Sequence, residues 1–199
     1  MNNSVSLIYR LSTVYSLLIR LLYGKHFLER YKSIKEYIPR GASVADICSG
    51  DCNLYHYALR GRNNYIGVDM NPSLNKKNRI INQTKIDVIN DSLPVSDFVI
   101  MQGSLYQFFP DHKKMVDKML KSAKQKVIIS EPVINLGNSS YGLISYLSKH
   151  TANSAIAPKS FRFTKSLLNN FFRKNYKDLI ENTSFAAGGR DMLFILRAK

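Results

Sequence analysis

Acidic residues, cysteine and long uncharged apolar runs are all scarce in this chain. Asp and Glu number 14 against 29 Lys and Arg, a formal net charge of +15, and the sequence pI is about 9.8. Such a balance fits an anionic partner: nucleic acid, anionic lipid or an acidic small molecule. It fits a soluble basic protein equally well, because the charges are spread out. Lys76-Lys77, Lys113-Lys114 and Arg173-Lys174 are pairs, not blocks. No aromatic RNP segment or zinc knuckle is present, which argues against a nucleic-acid partner. The two cysteines exclude a disulfide framework beyond one local bridge and indicate a reducing, cytoplasmic compartment.

The N-terminal stretch from Val5 to Tyr23 is apolar but broken by Arg10 and Arg20, so it falls short of the roughly 18 residues of a membrane span. It also lacks a small-residue cleavage site, which argues against a signal peptide. Leu7, Leu11, Val14, Leu18 and Leu22 recur at helical spacing, with Ser6, Arg10, Thr13 and Arg20 on a narrower polar face. Two readings of this amphipathic helix stand side by side. It packs on the rest of the protein as a lid, or it rests on a membrane surface with Arg10, Arg20 and Lys25 near anionic head groups.

What the chain does have is length and alternation. Its 199 residues, 45% hydrophobic, suffice for one domain with a sizeable core. Helical stretches at about 5–23 and 25–38 are followed by Pro39-Arg40-Gly41. Strands are expected at Ser43–Cys48, Asn64–Asp69, Lys85–Val88, Asp97–Gln102 and Lys126–Ser130. Helices are expected between them at Asp51–Leu59, Pro72–Asn78 (capped by Asn71) and Asp111–Ala123. This alternation argues for a parallel α/β sheet. The stretch Asn135–Lys159 is polar around one helical segment, Tyr141–Lys149. A helix at Thr164–Phe172, with Thr164 as cap, leads to strands at Tyr176–Ser184 and Asp191–Arg197 around Ala187-Gly188-Gly189.

The most informative segment is Val44-Ala45-Asp46-Ile47-Cys48-Ser49-Gly50-Asp51-Cys52, followed by Gly67-Val68-Asp69. A β-branched strand ends in an acid and a tight turn, and a second strand ends in Asp69, 23 positions after Asp46. That layout places a nucleotide-like ligand over the carboxyl ends of two parallel strands, with Asp69 on the ribose hydroxyls. The G-x-G-x-x-G spacing is missing, which weakens an NAD-dependent oxidoreductase as a third reading. Cys48, Cys52 and His56 lie four apart, but a structural zinc site wants a fourth ligand, so no metal is expected. His26, His112 and His150 are scattered.

Asp46-x-Cys48-x-Gly50-x-Cys52 resembles the D-x-G-x-G-x-G turn of class I S-adenosylmethionine (SAM) dependent methyltransferases. The resemblance spans roughly residues 43–132, and Ser96-Asp97-Phe98-Val99-Ile100-Met101-Gln102 is similar to that family's fourth strand. It implies a Rossmann-like, mostly parallel seven-stranded sheet with a terminal antiparallel hairpin and N-terminal helices. The whole of 1–199 is then one domain, with 1–40 a helical lid and 41–199 the core. SAM is the implied cofactor and S-adenosylhomocysteine (SAH) the product. Implied cofactor contacts are Asp46 for the methionine ammonium, Cys48, Ser49 and Gly50 in the turn, and Asp69 for the ribose. Met70, Asp87 and Val88 would meet adenine; Gln102 and Ser104 would line the methionine side. Two family glycines are cysteines here. Cys52 is the less usual change, and its side chain is expected to crowd the turn. Many members carry histidine where Gln107 stands.

Tyr106, Gln107 and His112 are the candidate catalytic residues, with Glu131-Pro132 also facing the cofactor and Tyr15, Tyr23 and His26 able to close over it. Asn-Pro-Pro-Tyr, a signature of base methylation, is replaced by Gln102-Gly103-Ser104-Leu105. The implied acceptor is therefore a small molecule or lipid-like, with peripheral membrane contact as a further option. The rival is a non-catalytic SAM- or nucleotide-binding protein, motivated by Cys52 and Gln107.

Overall fold

The computed structural model describes residues 19–61, 64–70, 82–134 and 161–198. Its seven strands are β1 (Ser43–Ile47), β2 (Asn64–Asp69), β3 (Gln83–Lys85), β4 (Ser96–Gln102), β5 (Ala123–Pro132), β6 (Ile180–Ala186) and β7 (Asp191–Arg197). They form one sheet in the order β3-β2-β1-β4-β5-β7-β6. Pairing is parallel from β3 through β5, while β7 runs antiparallel to both β5 and β6. The expected mostly parallel seven-stranded sheet with a terminal antiparallel hairpin is what the chain adopts. Strand order reverses at β1, between β2 and β4, and this is where open α/β sheets hold ligands.

β4, β7 and the second half of β5 read as continuous apolar runs because both faces of the sheet are covered there. Ala45, Ile47, Val99, Met101, Val127, Ile129 and Phe194 point into one cluster, with Met115, Met119 and Phe172 from helices His112–Ser122 and Lys165–Tyr176. Phe172 stacks on Phe194 with ring centroids 4.1 Å apart. Val44, Phe98, Ile100, Ile128, Leu193 and Ile195 point into the other cluster, with Tyr23, Phe27, Tyr31, Ile34, Leu54 and Leu59.

Several expected boundaries shift. The helix expected at 25–38 is a 3-10 turn at Gly24–His26 and a helix at Glu29–Lys35, because burying Tyr23, Phe27 and Arg30 together requires a turn between them. The helix expected from Asp51 includes a π-helical turn, Tyr55–Leu59. β3 ends at Lys85, so Asp87 lies beyond the strand. Tyr176 is the last residue of helix Lys165–Tyr176, and β6 starts only at Ile180. Thr164 caps that helix as expected, accepting from Leu167 N at 3.2 Å. The expected helices at Pro72–Asn78 and Tyr141–Lys149, and most of 5–23, lie outside the described residues. Among the described residues no helix is long and apolar enough to cross a membrane.

The N-terminal segment is fastened to the β6–β7 hairpin by polar contacts. Asp191 accepts from Arg30 Nε at 2.7 Å and from the Tyr23 hydroxyl at 2.6 Å. Asn182 Nδ2 donates to the Tyr37 hydroxyl at 2.8 Å, and Gly188 N donates to Glu29 Oε1 at 3.3 Å. Gln102 Nε2, at the end of β4, donates to the Arg30 carbonyl at 3.1 Å. Residues 23–37 are thereby tied to the carboxyl end of β4 and to the β6–β7 hairpin.

Candidate functional site

β1 delivers Asp46 and then a turn in which three residues have left-handed backbones: Cys48 (φ 59°), Gly50 (φ 48°) and Cys52 (φ 50°). The turn that the resemblance assigns to glycines is kept, although cysteines occupy two of its places. A non-glycine residue held there costs about 1–3 kcal/mol, a strain the surroundings must sustain. Ser49 N donates to Val68 O at 3.1 Å, and Cys52 N donates to Ser49 O at 2.8 Å. Gln83 on β3 adds Nε2 contacts to Gly50 O at 3.1 Å and Ser49 Oγ at 3.3 Å.

Cys52, expected to crowd the turn, packs against it from the buried side, its sulfur 3.7 Å from Ser49 Oγ and 4.0 Å from Gly50 O. Its side chain is fully buried among the apolar residues of one face, and a Cβ on Gly67 would lie 2.9 Å from its sulfur and 2.9 Å from Ser49 Oγ. The sulfur fills space that Gly67 leaves open on β2. An ideal Cβ on Gly50, in contrast, would meet no atom of the described residues within 4 Å. Replacing Gly67 by alanine is therefore expected to destabilise the protein by about 1–3 kcal/mol through overpacking. Cys52→Gly in the same background should recover part of the loss. Urea unfolding midpoints of the two variants check this; an undiminished midpoint for Gly67→Ala would contradict it.

Asp69 closes the ligand side of the turn, accepting from Gly50 N at 3.0 Å. Asp46 is buried and accepts from the Tyr65 hydroxyl at 2.6 Å. Burial lifts its acid to about 7; the Tyr65 contact opposes the rise and Asp69 adds to it. Asp51 is raised by burial and by Asp69. Burial, then Asp69, Asp46 and Glu131, push the Cys48 thiol up, so it stays protonated at neutral pH.

A raised acid holds its proton more tightly in the folded state, so its stabilising contribution is full below the unfolded value and is lost as pH rises through the folded one. For Asp46 that window runs from 3.8 to about 7. Asp46→Asn keeps an oxygen for Tyr65 and cannot ionise. The stability of the wild type relative to this variant should fall between pH 4.5 and 7.5, read from urea midpoints at the two pH values. A difference that is flat or rises would contradict the assignment.

The structure brings Asp46, Cys48, Ser49, Gly50 and Asp69 together. Met70 follows Asp69 and is 50% exposed, available to an apolar ring. Asp87 lies in a turn of its own, where it accepts from Ile89 N at 3.0 Å and Asn90 Nδ2 at 2.8 Å. Val88 is buried in the core. Gln102 and Ser104 leave β4 beside β1, Gln102 on the Arg30 carbonyl and Ser104 with its N–H on Glu131.

The proposed catalytic residues sit after β4. Tyr106 and Gln107 lie in the 3-10 turn Leu105–Phe108. The Arg162 guanidinium stands 3.9 Å from the centre of the Tyr106 ring. His112 opens the next helix within an aromatic cluster, stacked on Phe109 and 4.4 Å from the Phe171 ring centre. Burial lowers its pKa, so it is neutral at pH 7.

Sequence reasoning missed Tyr65, Gln83, Arg30 and Asp191. The first two are recognisable only from strand register: Tyr65 faces Val44, and Gln83 pairs with Gly67. Arg30 and Asp191 are far apart in sequence and carry no local signal. Among the described residues no group of three metal-binding side chains occurs.

No protein-family model matches this chain, and no curated protein matches it in sequence. Solved structures do match. An O-methyltransferase family 2 protein from Planctomyces limnophilus, in complex with apigenin, is similar over 94% of this chain and 62% of its own, with TM-score 0.60 and 13% identity. The mitomycin 7-O-methyltransferase MmcR is similar over 96% of this chain and 60% of its own, with TM-score 0.64 and 12% identity. Magnesium protoporphyrin IX methyltransferase from Synechocystis, with bound SAH, is similar over 100% of this chain and 89% of its own, with TM-score 0.54 and 14% identity. This chain thus spans about 60% of the length of the first two. A Rhodobacter sphaeroides protein bearing the name of zinc-dependent alcohol dehydrogenases also matches, with TM-score 0.62 and 16% identity over 85% of this chain and 89% of its own. The chain has the class I methyltransferase fold, and the chemistry must be argued from the site.

Proposed function

We propose that the protein is a SAM-dependent methyltransferase acting on a small-molecule or lipid-like acceptor. The observation that carries this reading is the gathering of Asp46, Asp51 and Asp69 around an open left-handed turn, in a chain whose net charge is +15. Such a turn suits a cationic ligand. A pyrophosphate placed about 4 Å from one ionised carboxylate would be repelled by about 4 kcal/mol at an effective dielectric of about 20. The same acids favour a sulfonium and an ammonium.

The parts then fall into roles. Asp69 accepts from the ribose hydroxyls while holding Gly50 N–H. Gly50 lets the methionine portion approach the backbone. Met70 offers an apolar surface to adenine, and Asp46 and Asp51, whose acids burial and Asp69 raise, would be drawn into the carboxylate form by a bound cation. Gln102 and Ser104 border the methionine side. SAM, when bound, would supply an electrophilic methyl carbon to which an acceptor lone pair bonds as the carbon–sulfur bond breaks and SAH leaves. The protein's share is orientation and exclusion of water. His112, neutral at pH 7, and Tyr106 would stand on the acceptor side. A lipid-like acceptor draws support from Leu21 and Leu28, 70% and 40% exposed, near Arg20 and Lys25.

SAH formation with methyl-labelled SAM tests the reading, using phenolic small molecules, extracted lipids, RNA and DNA as acceptors. Label entering the phenolic or lipid fraction is the expected result. Label entering only nucleic acid, or none in any fraction, would overturn it.

A further inference from the structure

Glu131 is fully buried near the carboxyl end of β5. Its Oε1 accepts from two consecutive backbone amides, Ser104 N and Leu105 N, each at 2.6 Å. Its Oε2 is buried with no hydrogen-bond partner among the described residues. A buried carboxyl with one oxygen doubly used and the other unpaired is costly, and such a group calls for a reason. The amides it holds open the 3-10 turn Leu105–Phe108, immediately after Gln102 and Gly103 at the end of β4. Among the described residues no strand pairs with this segment, and Glu131 anchors its first two N–H groups.

We propose that Glu131 is a positioning residue of the candidate site: it fixes the Ser104–Leu105 segment and, through it, the side of the crevice bordered by Gln102 and Ser104. The consequence for ligand binding rests on the reading of that crevice as a SAM site; the anchoring of the two amides does not. Burial raises the Glu131 acid to about 8, against the pull of the two amides, with Asp191 adding to the rise and Arg30 opposing it. Burial thus favours the protonated form of this side chain. Glutamine copies its shape and keeps an oxygen for both amides. Aspartate keeps the acid but is one methylene too short to reach them.

The test compares the full-length wild type with Glu131→Gln, Glu131→Asp and Glu131→Ala at pH 7. Amide hydrogen exchange is read at Ser104 and Leu105, and SAM affinity by calorimetry. In the alanine and aspartate variants both amides should exchange up to about tenfold faster, the factor for one hydrogen bond of about 1.4 kcal/mol, and SAM should bind measurably more weakly. Glutamine should restore both readouts to near wild type. If Glu131→Ala fails to fold, the aspartate–glutamine contrast decides the matter. Unchanged exchange in the aspartate variant, or a glutamine variant as impaired as the aspartate one, would overturn the proposal. If the wild type binds no SAM, the SAM reading fails by itself, and the exchange contrast still decides whether Glu131 anchors the segment.

Discussion

Replacing Asp191 by alanine is expected to destabilise the protein by about 3–5 kcal/mol, the cost of removing one partner of a buried ion pair. Asp191 has no exposure to solvent. It is the acceptor for both Arg30 Nε and the Tyr23 hydroxyl. Burial opposes the charge on Arg30, but Asp191 and the neighbouring tyrosines outweigh it and raise its pKa. The guanidinium also lies 4.3 Å from the centre of the Tyr23 ring. Without Asp191 a cation and a hydroxyl are left in the interior with little water. The variant Asp191→Ala/Arg30→Met should recover part of the loss, because it removes the buried cation but not the Tyr23 hydroxyl that Asp191 also accepts from. Urea midpoints measure both. A loss below about 1 kcal/mol would place this pair with weak surface bridges and contradict the account.

Asp69→Ala is expected to have the largest effect on ligand binding. A carboxylate that accepts from two ribose hydroxyls loses about 1.5–3 kcal/mol for each charge-assisted bond removed. Losing even one bond weakens SAM by about tenfold or more. The variant also frees Gly50 N–H, so the turn loses one of its own anchors. Asp87→Asn should cost much less, since an amide oxygen still accepts from an adenine amino group and from Ile89 N. Calorimetry with SAH, which does not react, gives both affinities. Equal affinity of Asp69→Ala and wild type would remove the ribose assignment.

Much of the fold was legible because its signals are local. The strand Asn64–Asp69 and the Thr164 cap follow from β-branched patterning and from a hydroxyl before a helix. The left-handed turn was legible from Gly50 and the spacing of Asp46 and Asp69. That Cys48 and Cys52 adopt glycine-like φ values was visible only through the resemblance. The break between Gly24–His26 and Glu29–Lys35 was not legible, because it is set by burial of Phe27 and Arg30 against distant elements. β3, only three residues long, carries too little periodicity to place its end. The Tyr65–Asp46 bond depends on strand register, and Tyr23–Asp191 spans 168 positions. Such contacts belong to the topology rather than to any segment. The buried packing of the Cys52 side chain was not legible for the same reason: the space that receives it belongs to Gly67 on another strand.

The central claim is that the turn Cys48–Cys52 with Asp69 holds SAM. Calorimetric titration of the full-length protein with SAM, SAH and NAD tests it most directly. The account predicts saturable binding of about one SAM or SAH per chain, weakened in Asp69→Ala, and no heat from NAD. Saturable NAD binding with no response to SAM or SAH would contradict it.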